Sequence, residues 1–223
     1  MNCDIRKFFS TGGGGNVNAN ANVNANANVN ANVNANVNVK LKKLKKLSKK
    51  RIVIKEWKVF TDGSTINNGK RNARGGIGVF FTDESEDNVG ESFSFKGKTS
   101  NNICELEAVR RAIVIISKKP EFKTSDKMLI CTDSSYVIDC ITKWSDTWEK
   151  NGWNRKNKGK IVPVKNVDLI KSIKKLYYKY NIQFKHIKAH RNLSDKIKKN
   201  SLEYQEWYGN MKADELANVG SAK

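Results

Sequence analysis

Two apolar runs in this sequence each end on a Thr-Asp pair. "WKVF" leads through Thr61 to Asp62, and "LIC" leads through Thr132 to Asp133. Short apolar runs bounded by turn residues are typical of buried strands. A carboxylate at the end of a buried strand costs free energy unless something offsets its charge. Asp62 either opens a turn or binds a cation, and this run alone leaves both interpretations open.

The composition favours a nucleic-acid-binding protein. The 223 residues carry a formal net charge of +20, which suggests a polyanionic partner. The alternative is a merely soluble basic protein. Four cysteines without a CxxC pair and only two histidines disfavour a structural zinc site and indicate free thiols in a reducing compartment.

The chain divides by composition into four parts. Residues 1–10 form a short peptide without the apolar core of a secretory signal, and the longest apolar run, 112–116, is too short to cross a bilayer. Residues 11–39 alternate Asn with Val or Ala after a glycine run, which favours a disordered linker over an ordered strand. Residues 40–51 are a basic arm, either a phosphate-binding or nuclear import segment or a solvated linker. Residues 52–223 have a globular pattern.

The globular part predicts a mixed sheet flanked by helices. Three strands in hairpin order come first, and strands then alternate with helices, as in an α/β domain. The predicted strands span 52–61, 75–82, 91–96, 128–132 and 182–187. The predicted helices span 103–117, 136–150 (capped by Ser134 or Ser135) and 166–178, with a last helix from about Met211 and a basic loop over 151–165.

Four carboxylates are candidates for a common site. Asp62 and Asp133 are expected at one edge of the sheet, Glu105 faces the protein from a helix whose neighbours are apolar, and Asp214 begins the terminal helix. Taken singly, each is more simply a cap or a surface charge. Crowded like charges require bound cations, and oxygen-only ligands suit Mg²⁺ or Mn²⁺.

These motifs together resemble type 1 ribonuclease H. The resemblance covers residues 57–220 and is carried, in family order, by TDGS, NNICELEAVRRA, TDSSYV, VKNVDL, KAHRN and GNMKADELA. It implies a five-stranded mixed sheet with helices on both faces. It also implies endonucleolytic hydrolysis of the RNA strand of RNA–DNA hybrids, leaving 3′-hydroxyl and 5′-phosphate ends, with two Mg²⁺ ions or substituting Mn²⁺ as cofactors.

The resemblance assigns roles to individual residues. The metal ligands would be Asp62, Glu105, Asp133 and Asp214, with Asp62 bridging both ions, and His190 would match the mobile histidine that moves a proton or helps product leave. His186 is instead interpreted as a packed or edge histidine. Substrate contacts are assigned to Gly63, Ser64, Ser100, Asn101, Asn102, Tyr136, Asn210 and, in the basic protrusion, Trp144, Trp148, Trp153 and Lys156. A tryptophan-pinned loop is the alternative for the protrusion.

Three departures from the family pattern are visible. The turn after the first strand, INNGKRNARGG, is longer and more basic. Ala189 replaces the glycine before His190, and residues 193–209 are inserted before Asn210. The insertion leaves the role of His190 open but not the four carboxylates.

The first residues resemble a sliding-clamp-binding peptide. In NCDIRKFFS the anchors would be Ile5, Phe8 and Phe9, with Asn2 where the family motif has glutamine. From this resemblance together with that to ribonuclease H, we expect a monomeric enzyme of replication or repair, in the nucleus or a cytoplasmic replication compartment. The rival interpretations are another nuclease of this fold, such as an integrase or exonuclease, and a non-catalytic hybrid-binding module.

Overall fold

The computed structural model describes residues 53–189 and 197–223. The clamp-binding peptide, the linker, the basic arm and His190 lie outside these residues. The interpretations given to them therefore stay predictions. Within the described residues, none of the helices is both long enough and apolar enough to cross a membrane.

The main sheet has five strands in the order β3-β2-β1-β4-β7. The β1–β2 and β2–β3 pairs are antiparallel, whereas β1–β4 and β4–β7 are parallel, so the predicted mixed sheet is confirmed. Strands β5 and β6 form a separate antiparallel hairpin. The strands are β1 Glu56–Ile66, β2 Arg74–Phe80, β3 Val89–Ser92, β4 Lys127–Thr132, β5 Asn154–Asn157, β6 Lys160–Pro163 and β7 Asn181–His186.

Helices flank both faces of the sheet. They are α1 Asn101–Ser117, α2 Ser135–Asp139, α3 Ser145–Lys150, α4 Val167–Lys179 and α5 Leu202–Ala222, with a π-helical segment Cys140–Trp144 between α2 and α3. Serine side chains cap three of them, because Ser100, Ser134 and Ser201 accept hydrogen bonds from the backbone N–H groups of Ile103, Val137 and Tyr204. Of the two predicted caps for α2, Ser134 is the one used.

Alternation along β1 divides the core into two layers. Val59 packs in the cluster built with apolar residues of α1 and α4, whereas Phe60 packs with Ala213 of α5 on the opposite face. The helix pair α1–α4 and the single helix α5 therefore cover opposite faces of the sheet. On β1, the even-numbered residues face α5 and the odd-numbered residues face α1.

Close contacts at two glycines set the distance between the sheet and its helices. A Cβ atom on Gly78 of β2 would lie 1.9 Å from the Ala213 carbonyl oxygen of α5. A Cβ atom on Gly63 of β1 would lie 2.2 Å from the Glu105 backbone nitrogen of α1. The missing side chains allow both helices to approach the sheet beside Asp62.

Strand β1 corrects the first expectation about Asp62. The predicted strand ended at Thr61, but β1 continues to Ile66 because Gly63–Ile66 pair with Arg74–Ile77 of β2. Asp62 therefore lies inside a strand, and the interpretation that it opens a turn is wrong. Its burial comes from neighbours on three sides rather than from the end of an apolar run.

The terminal helix also begins earlier than predicted. It starts at Leu202 rather than near Met211, because Ser201 caps it and Tyr208 packs edge-on against Phe80. Asp214 thus lies within the helix and not at its start, so the helix-start interpretation of this residue is wrong.

Two further boundaries differ. The third strand is Val89–Ser92 rather than 91–96, because Gly90 pairs with Gly78 of β2. The predicted loop 151–165 contains the β5–β6 hairpin, whose two-residue turn places Lys158 and Gly159 at positive φ angles of 47° and 77°. The sequence Asn-Lys-Gly-Lys is typical of such a turn. The many charged residues around it favoured the prediction of a loop instead.

The three cysteines among the described residues match the expectation of free thiols. Cys104, Cys131 and Cys140 are buried and unpaired. Burial raises the pKa of Cys131 to about 11 and that of Cys140 to about 12, so both remain protonated at neutral pH.

Candidate active site

Asp62 is the centre of the candidate site. Its side chain leaves β1 on the face covered by α5 and is buried, with a 9% exposed fraction. Burial and, to a smaller extent, the negative charges of Asp133 and Asp214 together raise the pKa of Asp62 to about 8. A hydrogen bond of 2.7 Å from the Gly63 N–H to Asp62 Oδ1 opposes this effect.

Asp133 lies at the same level as Asp62. The parallel register pairs Phe60 with Cys131, and two positions further on the chain has Asp62 within β1 and Asp133 directly after β4. Two polar side chains hold this segment. Asn210 Nδ2 donates to Asp133 Oδ2 over 3.4 Å, and His186 Nε2 lies 3.1 Å from the Asp133 carbonyl oxygen. The interpretation of His186 as an edge histidine agrees with its exposed position at the end of β7.

Glu105 reaches the site from the opposite face of the sheet. It can do so because Gly63 has no side chain and lets the first turn of α1 approach β1. Burial raises the pKa of Glu105, and the charge of Asp133 acts in the same direction. The Ser134 hydroxyl, which donates to Glu105 Oε2 over 2.7 Å, opposes the shift and fixes the carboxylate.

Asp214 and Asn210 lie one helical turn apart on α5. Both therefore project towards the same part of the sheet. The charge of Asp214 acts on Asp62, and Asn210 contacts Asp133, so α5 contributes to both aspartates of the strands. The structure thus brings the four predicted carboxylates to one edge of the sheet, where the roles assigned to them remain predictions.

The donor set fits a hard divalent cation. The Asn210 Oδ1 atom is buried and has no hydrogen-bond partner, so an acceptor oxygen beside Asp133 stands ready for a cation or its water. As they stand, no three acidic, histidine or cysteine side chains among residues 53–189 and 197–223 form a complete metal-binding group. Mg²⁺ typically uses one or two carboxylates together with water and substrate phosphates, which suits such a partial set.

A groove of about 420 Å³ lies beside the carboxylates. It is lined by Ser100, Asn102, Tyr136, Trp144, Trp148, Arg155, Val164, Lys165 and Asn166. Five of these were predicted as substrate contacts from sequence. The rings of Trp144 and Trp148 lie 5.4 Å apart, and Trp144 remains 38% exposed. The groove therefore combines an aromatic wall with cationic and amide groups, as expected for a nucleic-acid backbone.

Buried polar contacts fix the groove walls. Asn166 has a left-handed backbone (φ 58°) and donates from Nδ2 to the Tyr136 hydroxyl over 3.2 Å. Burial raises the pKa of Tyr136 to about 12, so this hydroxyl stays neutral. Lys174 of α4 contacts Glu149 at 2.6 Å and Asp146 at 2.8 Å, which braces the helix that carries Trp148.

Other predicted contacts lie outside the groove. Trp153 packs against the core and lies beneath Lys171, whose Nζ is 4.9 Å from its ring centroid, so the structure supports the pinned-loop interpretation for this tryptophan. Lys156 is exposed on β5 and lines a separate cleft with Ile161. Gly63 and Ser64 lie on β1 beyond Asp62, and exposed Asn101 begins α1. His190 lies outside the described residues.

Four groove residues were not predicted as substrate contacts from the sequence. They are Arg155, which belongs to the basic loop, and Val164, Lys165 and Asn166, which belong to the VKNVDL motif. The signal for Asn166 was present, because this motif helped to carry the family resemblance. No local pattern distinguishes Arg155 and Lys165 from the neighbouring cations.

Comparisons with known proteins identify a matching family. Residues 54–222 match the family described as RNase H. The chain is 33% identical over 165 residues to a ribonuclease H of Schizosaccharomyces pombe, covering 74% of this chain and 53% of that protein. It is 31% identical over 165 residues to ribonuclease HI of Neisseria meningitidis, covering 74% of this chain and 94% of that protein. Against the first of the similar curated proteins, the chain spans about half of their length.

A solved structure shares the fold. LC9-RNase H1, described as a type 1 RNase H with the type 2 active-site motif, superposes with a TM-score of 0.56. Its sequence is 22% identical, and the match covers 77% of this chain and 74% of that one. At this identity the likeness concerns the fold alone, which agrees with the five-stranded mixed sheet.

The raised pKa of Asp62 predicts a pH-dependent stability in the absence of metal. A folded-state pKa raised to about 8, against the ordinary value of 3.8, contributes stability that is fully present below pH 3.8 and is lost as pH rises towards 8. Urea unfolding in EDTA at pH 5 and pH 8 should show a larger loss for the wild type than for Asp62→Asn, by about 1 kcal/mol or more. Mg²⁺ should restore stability to the wild type at pH 8.

Glu84→Gln supplies the matched control, because Glu84 is an exposed carboxylate. It should retain the pH dependence of the wild type. Identical pH dependence in Asp62→Asn and Glu84→Gln would show that Asp62 does not carry the effect.

Proposed function

The chain belongs to the ribonuclease H family, and from this premise we propose that it hydrolyses the RNA strand of RNA–DNA hybrids. The observation that carries the proposal is the crowding of carboxylates around buried Asp62 at the sheet edge, which raises its pKa. Like charges at this density are typical of a site that binds divalent cations. The adjacent groove and the net charge of +20 favour a polyanionic substrate.

The proposed chemistry is metal-assisted phosphodiester hydrolysis that leaves 3′-hydroxyl and 5′-phosphate ends. Two Mg²⁺ ions, or Mn²⁺ in their place, would be held by Asp62, Glu105, Asp133 and Asp214. When bound, such ions supply activation of the attacking water and neutralisation of charge on the leaving oxygen. The remaining contributions come from the chain itself.

The surrounding residues hold these carboxylates in place. The Gly63 N–H fixes one oxygen of Asp62, Ser134 fixes Glu105, and Asn210 holds Asp133. Contacts of this kind orient the carboxylates before a cation binds. On the family resemblance, His190 would transfer a proton or assist product release.

Substrate choice would follow from contacts to the backbones of the two strands. Ser100 and Asn102 lie at the start of α1 beside the carboxylates, where they suit the minor-groove edge of a hybrid. The 2′-hydroxyl exposed in a wide minor groove identifies the RNA strand without sequence preference. The Trp144 and Trp148 wall would hold the DNA strand.

Replacement of Trp144 tests the role of the groove. Trp144→Ala should raise the KM for a hybrid roughly tenfold with little change in kcat, because base or sugar stacking contributes about 1–3 kcal/mol. The control is Ile161→Ala, which removes an apolar side chain that is 73% exposed on the β5–β6 hairpin. Equal effects of the two substitutions on KM would contradict the assignment of the groove.

The activity itself is tested with the full chain. A labelled RNA–DNA hybrid, double-stranded RNA and duplex DNA are each incubated with Mg²⁺ or with EDTA, for the wild type, Asp62→Asn and Glu84→Gln. The expected result is cleavage of RNA in the hybrid alone, lost in EDTA and at least 100-fold slower in Asp62→Asn, which corresponds to about 3 kcal/mol of transition-state stabilisation. Cleavage of duplex DNA, or hybrid binding without cleavage, would overturn the proposal.

The proposal extends to the cell. We place the enzyme, as a monomer, in removal of primers or hybrids during DNA replication or repair, in the nucleus or a cytoplasmic replication compartment. The support is the pattern of Ile5, Phe8 and Phe9 in the first ten residues, ahead of a low-complexity linker. A tether of this kind would raise the local concentration of enzyme at replicating DNA.

A peptide of residues 1–12 tests the amino-terminal interpretation. It should bind a sliding clamp with micromolar affinity, and changing Phe8 and Phe9 to Ala should weaken binding more than tenfold, since aromatic anchors dominate such contacts. Isothermal titration calorimetry measures both peptides, and Lys7→Ala serves as the control. Unchanged affinity of the double-alanine peptide would exclude the motif.

A further inference from the structure

The turn that joins β1 to β2 concentrates positive charge near the candidate active site. Between Asp62 and Asp83 the chain has no acidic residue, but it has Lys70, Arg71 and Arg74. All three side chains are exposed. The proposed chemistry does not use any of them.

The β1–β2 hairpin projects beyond the carboxylates. Strand β4 ends at Thr132, directly before Asp133, whereas β1 continues four residues past Asp62 to Ile66. Four strand residues extend about 13 Å. The cations of the turn are therefore carried past the candidate site at the edge where the substrate would lie.

The base of this hairpin is held from both faces of the sheet. Ser64 Oγ donates to Asn218 Oδ1 over 2.6 Å, and Arg74 Nη1 donates to the Ala222 carbonyl over 3.4 Å, so α5 holds one side. On the other side, Thr65 Oγ1 lies 3.7 Å from Cys104 Sγ of α1. The projection is thus fixed to the same helices that carry Asp214 and Glu105.

The turn itself has a defined backbone. Its hydrogen bonds run from Lys70 N–H to the Asn67 carbonyl (2.9 Å) and from Ala73 N–H to the Lys70 carbonyl (3.2 Å). Asn67 and Gly69 adopt positive φ angles of 57° and 81°, which these residue types tolerate. A turn of fixed shape presents its cations at fixed positions, which lowers the entropic cost of binding.

Lys70 and Arg71 differ from many other cations of the domain. Lys119 pairs with Asp87, and Lys127 with Glu56, so their charges are offset locally. Neither the Lys70 nor the Arg71 side chain makes an ion pair or hydrogen bond with a residue in the described ranges 53–189 and 197–223. Their charge is available to an external polyanion.

We propose that the β1–β2 turn binds phosphates of the cleaved RNA strand, at a position separate from the tryptophan-lined groove. This inference rests on the proposed function. A projection of about 13 Å reaches on the order of four nucleotide steps along a duplex that rises about 3.4 Å per nucleotide. In the sheet, β2 lies on one side of β1 and β4 on the other, so the β1–β2 turn and the tryptophan-bearing segments that follow β4 start from opposite sides of the strand that carries Asp62.

The salt dependence of hybrid binding tests the turn. The full chain carrying Asp62→Asn binds a labelled hybrid without cleavage, and its Kd is measured from 50 to 200 mM salt with and without the pair Lys70→Ala and Arg71→Ala. Loss of two phosphate contacts should reduce the slope of log Kd against log salt by about 1.4–1.8. The weakening of binding should be roughly tenfold greater at 50 mM than at 200 mM salt, because counterion screening reduces the contribution of phosphate contacts as salt rises.

The matched control is the pair Lys118→Ala and Lys123→Ala. These exposed lysines carry the same total charge but lie after α1 and before β4, at the opposite edge of the sheet. The control pair should change the slope by less than half as much. Equal slopes for both pairs, or a wild-type slope for the turn variant, would overturn the inference.

A second measurement identifies the strand. Neutral methylphosphonate linkages placed in the RNA strand should weaken binding by the parent protein but have little further effect on the turn variant, because the two changes remove the same contact. An equal further loss in both proteins would overturn the assignment to RNA. If the wild type neither binds nor cleaves the hybrid, the proposed function fails; normal hybrid cleavage by the wild type with an unchanged slope in the turn variant refutes only this inference.

Discussion

The repulsion among carboxylates around Asp62 is the constraint on which the arrangement of this domain depends. Asp62 is buried inside a strand, and its neighbours Asp133 and Asp214 carry the same charge. No rearrangement of the backbone relieves this, because the parallel register fixes Asp133 and the packing of α5 fixes Asp214. The folded chain therefore holds an unfavourable cluster that a divalent cation would stabilise. The domain gives up stability at this point, and a bound cation would restore it.

The four carboxylates can come together because the helices that carry Glu105 and Asp214 lie unusually close to the sheet. Because Gly63 has no side chain, the start of α1 lies close to β1. Glu105 therefore reaches the other carboxylates from the face of the sheet opposite α5. Gly78 admits α5 at Ala213, the residue next to Asp214. The two contacts operate from opposite sides of the sheet. A larger residue at either position would displace a helix and, with it, one of the carboxylates.

The sequence was informative where local pattern and tertiary structure agree. The runs that end at Asp62 and Asp133 predicted two strands of one sheet, and Ser134 was readable as a helix cap. The sequence pattern predicted the wrong structure where contacts with residues distant in the sequence determine the conformation. Residues Gly63–Ile66 are polar and small, and they are a strand only because β2 pairs with them. The direction of Trp153 depends on its left-handed backbone, with a φ of 62°, and on Lys171 of another helix. Neither the left-handed backbone nor the contact with Lys171 can be recognised from the residues adjacent in sequence.

Helix α5 gives the domain a mechanical property that no single contact has. Its 21 residues extend roughly 30 Å. Asn210 and Asp214 lie along its middle, while Asn218 and Ala222 near its end hold the base of the β1–β2 hairpin. A stiff helix transmits displacement along its length, so a force on the hairpin is felt at Asp214 as a change of tilt. The base of the β1–β2 hairpin and the middle of the candidate site are therefore mechanically connected through one rigid element.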